Sequence, residues 1–211
     1  MSSRPTGRSV KISDDERGGW SSDRPRSGAP RPADLTVHCR VLRPADRLRY
    51  SPGSLLIVSC ASTPELHAFI ERLIEDRAVV LSLRKVKALL AGRVAEEELD
   101  ERARELLASA VQKRLEGRQT VVLTTEGFTP EEREPFLRAA AAQRRPRHLI
   151  LIETARENVA EDELAPLNEL RRALDAGELG NEGIQTALRL GGGSAAEVKR
   201  ILFRPPPRED D

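Results

Sequence analysis

The sequence predicts an α/β fold: a mainly parallel sheet with helices on both faces. Two observations carry this. Four apolar runs recur along the chain, LLIVSC (55–60), AVVLSL (78–83), QTVVLTT (119–125) and HLILIET (148–154). Short runs with little polar alternation suit strands buried on both faces. Amphipathic helical patterns lie between them, and strand–helix alternation at this spacing builds a parallel sheet.

Taken in order, residues 1–34 are rich in Ser, Arg, Gly, Pro and Asp and have little to bury. They read as a disordered arm whose one tryptophan, Trp20, is an idle tail residue or a short docking motif. LTVHCRVL (35–42) alternates apolar and polar residues, as a half-buried edge strand does. RPADRLRYSPGS (43–54) reads as a turn-rich connection. LLIVSC is the first buried strand, and the helix after it aligns Leu66, Phe69, Ile70, Leu73 and Ile74 on one stripe.

AVVLSL is the second buried strand, followed by a short helix in VKALLAG (86–92). Residues 96–117 form a long helix with Leu99, Ala103, Leu106, Leu107, Ala110 and Val111 on its apolar face, stopped by Gly117. QTVVLTT, a helix over 129–145 and HLILIET follow, then a helix over 163–177 that ends at Gly177. A shorter helix near Glu182 to Leu190 and a strand near EVKRILF (197–203) complete a domain spanning 35–204. PPPREDD (205–211) reads as a tail.

Length and charge bound the function. The 211 residues suit one domain with tails. A net charge of +1 provides no global field for nucleic acid or an anionic membrane. The 35 basic residues are 30 Arg and 5 Lys, an imbalance read as genome bias of a high-GC bacterium before a binding device. No apolar run reaches the ~18 residues needed to span a bilayer, and the N-terminus lacks a signal-type apolar core. The expectation is a cytoplasmic protein with both thiols, Cys39 and Cys60, reduced. His38, Cys39, Cys60 and His67 match no zinc spacing, so no metal is expected. Cys60 with His67 is a nucleophile reading weakened by the absence of a following glycine for an oxyanion hole.

In open α/β sheets ligands bind beyond the carboxyl ends of the strands. The segments to inspect are therefore 59–63, 82–85, 124–128 and 153–156. Over residues 53–204 the order of elements resembles the P-loop kinases of the polynucleotide-kinase and zeta-toxin type. The resemblance rests on LLIVSCASTPELHAF, AVVLSLRKVKALLAG and LEGRQTVVLTTEGFTPEEREPFLRAA. It implies a three-layer P-loop NTPase fold with an Arg-bearing lid segment. The motifs of that family are absent. Laid on the end of LLIVSC, its first glycine becomes Ser59 and its second Pro64, its lysine Glu65, and its metal-binding Ser/Thr Leu66. Thr63 lies in the same degenerate phosphate-loop region. Glutamate for lysine turns attraction into repulsion, at roughly 4 kcal/mol for unit charges 4 Å apart and an effective dielectric near 20. Proline also removes a backbone donor. The acceptor aspartate expected after the second strand is missing from SLRKV (82–86), and D-x-T-N becomes Thr124, Thr125, Glu126 and Gly127.

The corner has a second reading as a helix start, with Ser62 or Thr63 as N-cap, Pro64 at N1 and Glu65 in the first turn. With Ser62 as the cap, Ser62 and Glu65 form a capping box; Thr129 and Glu132 repeat that design. The functional expectation is a catalytically inactive kinase-like module that acts on another protein, with no cofactor. One alternative is a nucleotide-dependent kinase or ATPase, with ATP and magnesium, using Glu126, Glu153 and the lid arginines Arg156, Arg171 and Arg172. Another is an anion or nucleic-acid binder through Arg138, Arg144, Arg145 and Arg147; the rival reading of that cluster is cations at a helix C-terminus. GGGS (191–194) is expected to be a flexible turn after a helix.

Overall fold

The computed structural model describes residues 35–125 and 127–204. The N-terminal arm with Trp20, Glu126 and the tail 205–211 lie outside these described residues. Among the described residues the eight strands are β1 (Arg40–Val41), β2 (Arg47–Tyr50), β3 (Leu55–Ser59), β4 (Val80–Ser82), β5 (Val121–Thr125), β6 (Arg147–Ile152), β7 (Thr186–Leu190) and β8 (Arg200–Phe203). The helices are α1 (Thr63–Leu73), α2 (Leu83–Leu90), α3 (Glu96–Glu116), α4 (Pro130–Ala142), α5 (Leu164–Asp175) and α6 (Gly193–Glu197).

Six strands form one sheet in the order β1-β7-β6-β3-β5-β4, with every pairing parallel. The molecule is a three-layer α/β fold, as the apolar runs predict. β3 lies in the middle because it is apolar on both faces. Leu55 and Ile57 point into the core built with α3, α4 and α5, while Leu56 and Val58 point into the core built with α1. Burial of one such side chain stabilises the fold by roughly 1.5–3 kcal/mol, so β3 anchors both layers.

Five readings are corrected. The connection 43–54 contains β2, which pairs in parallel with β8 as a separate two-stranded ribbon over α1. Its Leu48 and Tyr50 alternate inward, a period-2 signal hidden between Pro44 and Pro52. The segment read as a helix near Glu182 to Leu190 is a 3-10 turn (Glu178–Glu182) followed by β7. Gly183 at φ 94° breaks the helical path, and pairing with β1 and β6 overrides the helix preference of Ala-Leu-Arg-Leu. GGGS therefore follows a buried strand and opens the short α6. The second buried strand is only Val80–Ser82, because a 3-10 turn occupies Arg77–Val79 and α2 begins at Leu83. On α3, Leu106 is exposed, while Leu115 joins the buried stripe.

Candidate site at the carboxyl edge

From β3 the chain winds by way of α1 to the β4–β5 side of the sheet, then returns across β3 to β6 and β7. The switch point is therefore the crevice between the carboxyl ends of β3 and β6, where such folds place ligands. The corner after β3 lies there. Ser62 is the N-cap of α1, and its Oγ accepts from the Glu65 amide at 3.4 Å. Thr63 is thus the first helical residue and Pro64 the second, one step later than a Pro-at-N1 start.

Only half of the expected capping box forms. The Glu65 carboxylate turns outward across the crevice and accepts from Thr154 Oγ1 at 2.9 Å. Leu66 points inward and is buried, as is Ser59 at the strand end. At α4 the full box forms, with Glu132 Oε2 accepting from the Thr129 amide at 3.1 Å. Gly127 lies beside it: a Cβ there would stand 2.0 Å from that carboxylate, which would have to swing away. A cavity of about 580 Å³ flanks the corner, lined by Glu65, Phe69, Arg72, Ile152 and Thr154 among others. Arg72 donates to the Val198 carbonyl at 2.5 Å and the Ala195 carbonyl at 2.7 Å, tying α1 to the segment before β8.

Glu153, immediately after β6, is held by two arginines. Arg171 Nε donates to it at 3.0 Å with a second bond from Nη2, and Arg189 Nε donates at 2.6 Å. Arg189 also pairs with Asp175 at 2.9 Å. Burial alone raises the Glu153 pKa, but the hydrogen bonds and charges of Arg171 and Arg189 outweigh it, and the carboxyl lies below its ordinary value. Arg171, named above as a lid arginine of the alternative reading, is a partner of Glu153. Arg156 opens a 3-10 turn, and Arg172 is exposed on α5.

The arginine cluster does not assemble. Arg138 pairs with Glu134 at 2.6 Å. Arg145 Nε donates to the Leu115 carbonyl at 3.2 Å, and the buried Arg147 donates to the Gly183 carbonyl at 2.6 Å. Arg144 is exposed at φ 53°. Backbone carbonyls and one carboxylate thus use the charges of Arg138, Arg145 and Arg147.

Cys60 is fully buried, and burial pushes its thiol up to about 11, the reverse of an activated nucleophile. His67 does not serve it; its ring Nδ1 lies 3.1 Å from an Arg84 guanidinium nitrogen. His38 is exposed and Cys39 buried, in the extended segment just before β1. Among the described residues no group of His, Cys, Asp and Glu is placed to hold a metal, and no helix is long and apolar enough to cross a membrane.

Sequence reasoning missed a larger cleft on the opposite side of β3. It has a volume of about 800 Å³ and lies over the carboxyl ends of β4 and β5, between α1, α2, α3 and α4. Its floor is apolar and its rim carries Arg84, Lys87 and Arg104. Ser82 to Arg84 and Thr124, Thr125 and Gly127 of the inspected segments border it, but its cations come from two separate helices and leave no local motif.

No family model matches the chain, and no curated protein matches it. Among solved structures, a "putative kinase" from Chloroflexus aurantiacus is similar at 14% identity and a TM-score of 0.41, over 67% of this chain and 86% of that one. A likeness of this strength says nothing of activity, and the α/β class rests on the strand pairing itself. The molecule is thus a doubly wound α/β protein whose central strand–helix corner is capped by its own side chains.

Proposed function

We propose that this chain is a kinase-like α/β module that has lost phosphoryl transfer and works by binding another protein. One observation carries the reading. At the amino end of α1, where a phosphate would be cradled, Ser62 caps a backbone amide and a carboxylate, Glu65, stands beside it, hydrogen-bonded across the crevice to Thr154. Phosphoryl transfer needs a cradle, a metal and an oriented acceptor together. Here the helix dipole already meets a negative side chain, and a triphosphate would meet repulsion.

A kinase with an unusual site would need Glu153 to face a metal, but both of its oxygens accept from guanidinium groups. The thermal shift of the full chain with millimolar magnesium-ATP tests the reading. The melting temperature is expected to stay unchanged, because a ligand at a hundred times its Kd adds about 2.7 kcal/mol and would be plainly visible. A rise of several degrees, abolished by Arg72→Ala or Thr154→Val at the switch-point crevice, would overturn it. For the partner role, affinity capture is expected to retain a protein that is lost when residues 1–34 are removed or when the exposed Leu89 on α2 is changed to Asp.

A further inference from the structure

We propose that the cleft over β4 and β5 is a binding site for an amphipathic organic anion, a molecule with an apolar body and one carboxylate, sulfonate or phosphate head. This is independent of whether the α1 corner binds nucleotide. Three features converge on it. The first is size: about 800 Å³ falls within the roughly 300–1,000 Å³ typical of small-molecule sites. The second is the floor, built from Ile57, Leu66, Leu107, Leu123 and Phe136. Leu66 and Leu107 belong to the buried stripes of α1 and α3, so the floor is a fixed part of the core.

The third is an imbalance of charge on one wall. Arg84 and Lys87 stand one turn apart on α2, and Arg104 faces them from α3. Two of these cations share one carboxylate, Asp100, which lies 2.7 Å from Lys87 and 3.7 Å from Arg104. Arg84 has no carboxylate partner among the described residues and rests on the His67 ring. The nearby Glu105 does not correct the balance, because it pairs with Arg102 at 3.1 Å. On the opposite wall Arg133 is committed to Glu182 and the Phe128 carbonyl, and Glu132 to the Thr129 amide. Glu131 and Glu163 also stand on that side, so the cleft is polarised and orients an anionic head toward α2 and α3. A guanidinium beside an apolar floor and without a carboxylate is the arrangement that a carboxylate or phosphate completes with charge-assisted hydrogen bonds.

The probe is 8-anilinonaphthalene-1-sulfonate, an aromatic anion of suitable size, titrated by fluorescence into the full chain. Saturable one-to-one binding is expected. Arg84→Gln weakens it about tenfold, the size expected for losing a charged hydrogen-bond partner, with the melting temperature unchanged. Arg104→Gln on the neighbouring helix weakens it as well, which guards against a folding defect in either variant. Octanoate displaces the probe, while octylamine and octanol do not. Absence of saturable binding, equal binding to wild type and both variants, or displacement by octanol or octylamine as effective as by octanoate would each overturn the proposal.

Discussion

His148 is the residue whose chemistry the fold changes most. It is the second residue of β6, buried, with Nδ1 2.8 Å from Thr186 Oγ1 and its ring centroid 4.6 Å from that of Tyr50. Its Nε2 and the Tyr50 hydroxyl are buried with no hydrogen-bond partner among the described residues. Burial first, and the neighbouring Arg147 charge second, depress the His148 pKa from 6.5 to about 4. In the unfolded chain the ring takes up a proton near pH 6.5, while in the folded chain it resists protonation until about pH 4. The folded state therefore loses stability as pH falls from 6.5 toward 4, and by pH 5 the loss is about 2 kcal/mol. Urea midpoints at pH 7 and pH 5 measure this. His148→Gln keeps a polar partner for Thr186 without a titrating ring and is expected to remove most of the difference. An equal fall in the variant would place the acid sensitivity elsewhere. Glu153 acts in a lower window: its depressed pKa supports stability above the ordinary carboxylate range and is lost only as the pH falls below it.

At the scale of elements, the sequence revealed what depends on local pattern and concealed what depends on neighbours. LLIVS, VVLTT and HLILI read as buried strands because almost every side chain in them is apolar, and all three lie at or next to the sheet centre. The α1 and α4 starts were legible because capping is local chemistry. β7 was not, since its Ala, Leu and Arg favour a helix and only its place between β1 and β6 makes it extended. The large cleft was illegible for the same reason: Arg84 and Arg104 are brought together by the packing of α2 on α3. Gly180 shows how strict such packing is. A Cβ there would lie 2.1 Å from the Val37 carbonyl oxygen, and the Val37 amide donates to the Gly180 carbonyl at 2.9 Å. Backbone stands on both sides of that contact and cannot rotate away as a side chain could. Gly180→Ala is expected to cost about 1–3 kcal/mol, the range for overpacking a filled site, and to lower the melting temperature by several degrees. A thermal melt checks it; an unchanged midpoint would mean that the leading segment before β1 does not need this approach. Arg133→Met separates polar pairing from packing at α4. It leaves the Glu182 carboxylate and the Phe128 carbonyl without their guanidinium, and a loss of about 3 kcal/mol in urea is expected from breaking a buried pair on one side.

At the scale of the whole molecule, the two cores share the sheet and are expected to melt together. β3 sends Leu55 and Ile57 to one face and Leu56 and Val58 to the other, so loss of either helical layer uncovers one face of the central strand. The ribbon of β2 and β8 reinforces the coupling. It joins residues 47–50 to 200–203, and both of its strands pack on the α1 core rather than against each other alone. The chain carries a natural reporter in each core: Cys39 packs with the α3–α5 layer, and Cys60 with α1 and the ribbon. Both thiols are buried and burial raises both pKa values, so neither reacts in the folded state and each becomes reactive when its own core opens. A pulse of a thiol-specific alkylating reagent across a urea series, with the two sites resolved by peptide mass, reads the cores separately. A shared sheet requires one midpoint for both cysteines, coincident with the loss of helical circular dichroism. Reaction of Cys60 at clearly lower urea would show that the ribbon and α1 open as a unit of their own, and the central strand would then be an anchor for one layer only.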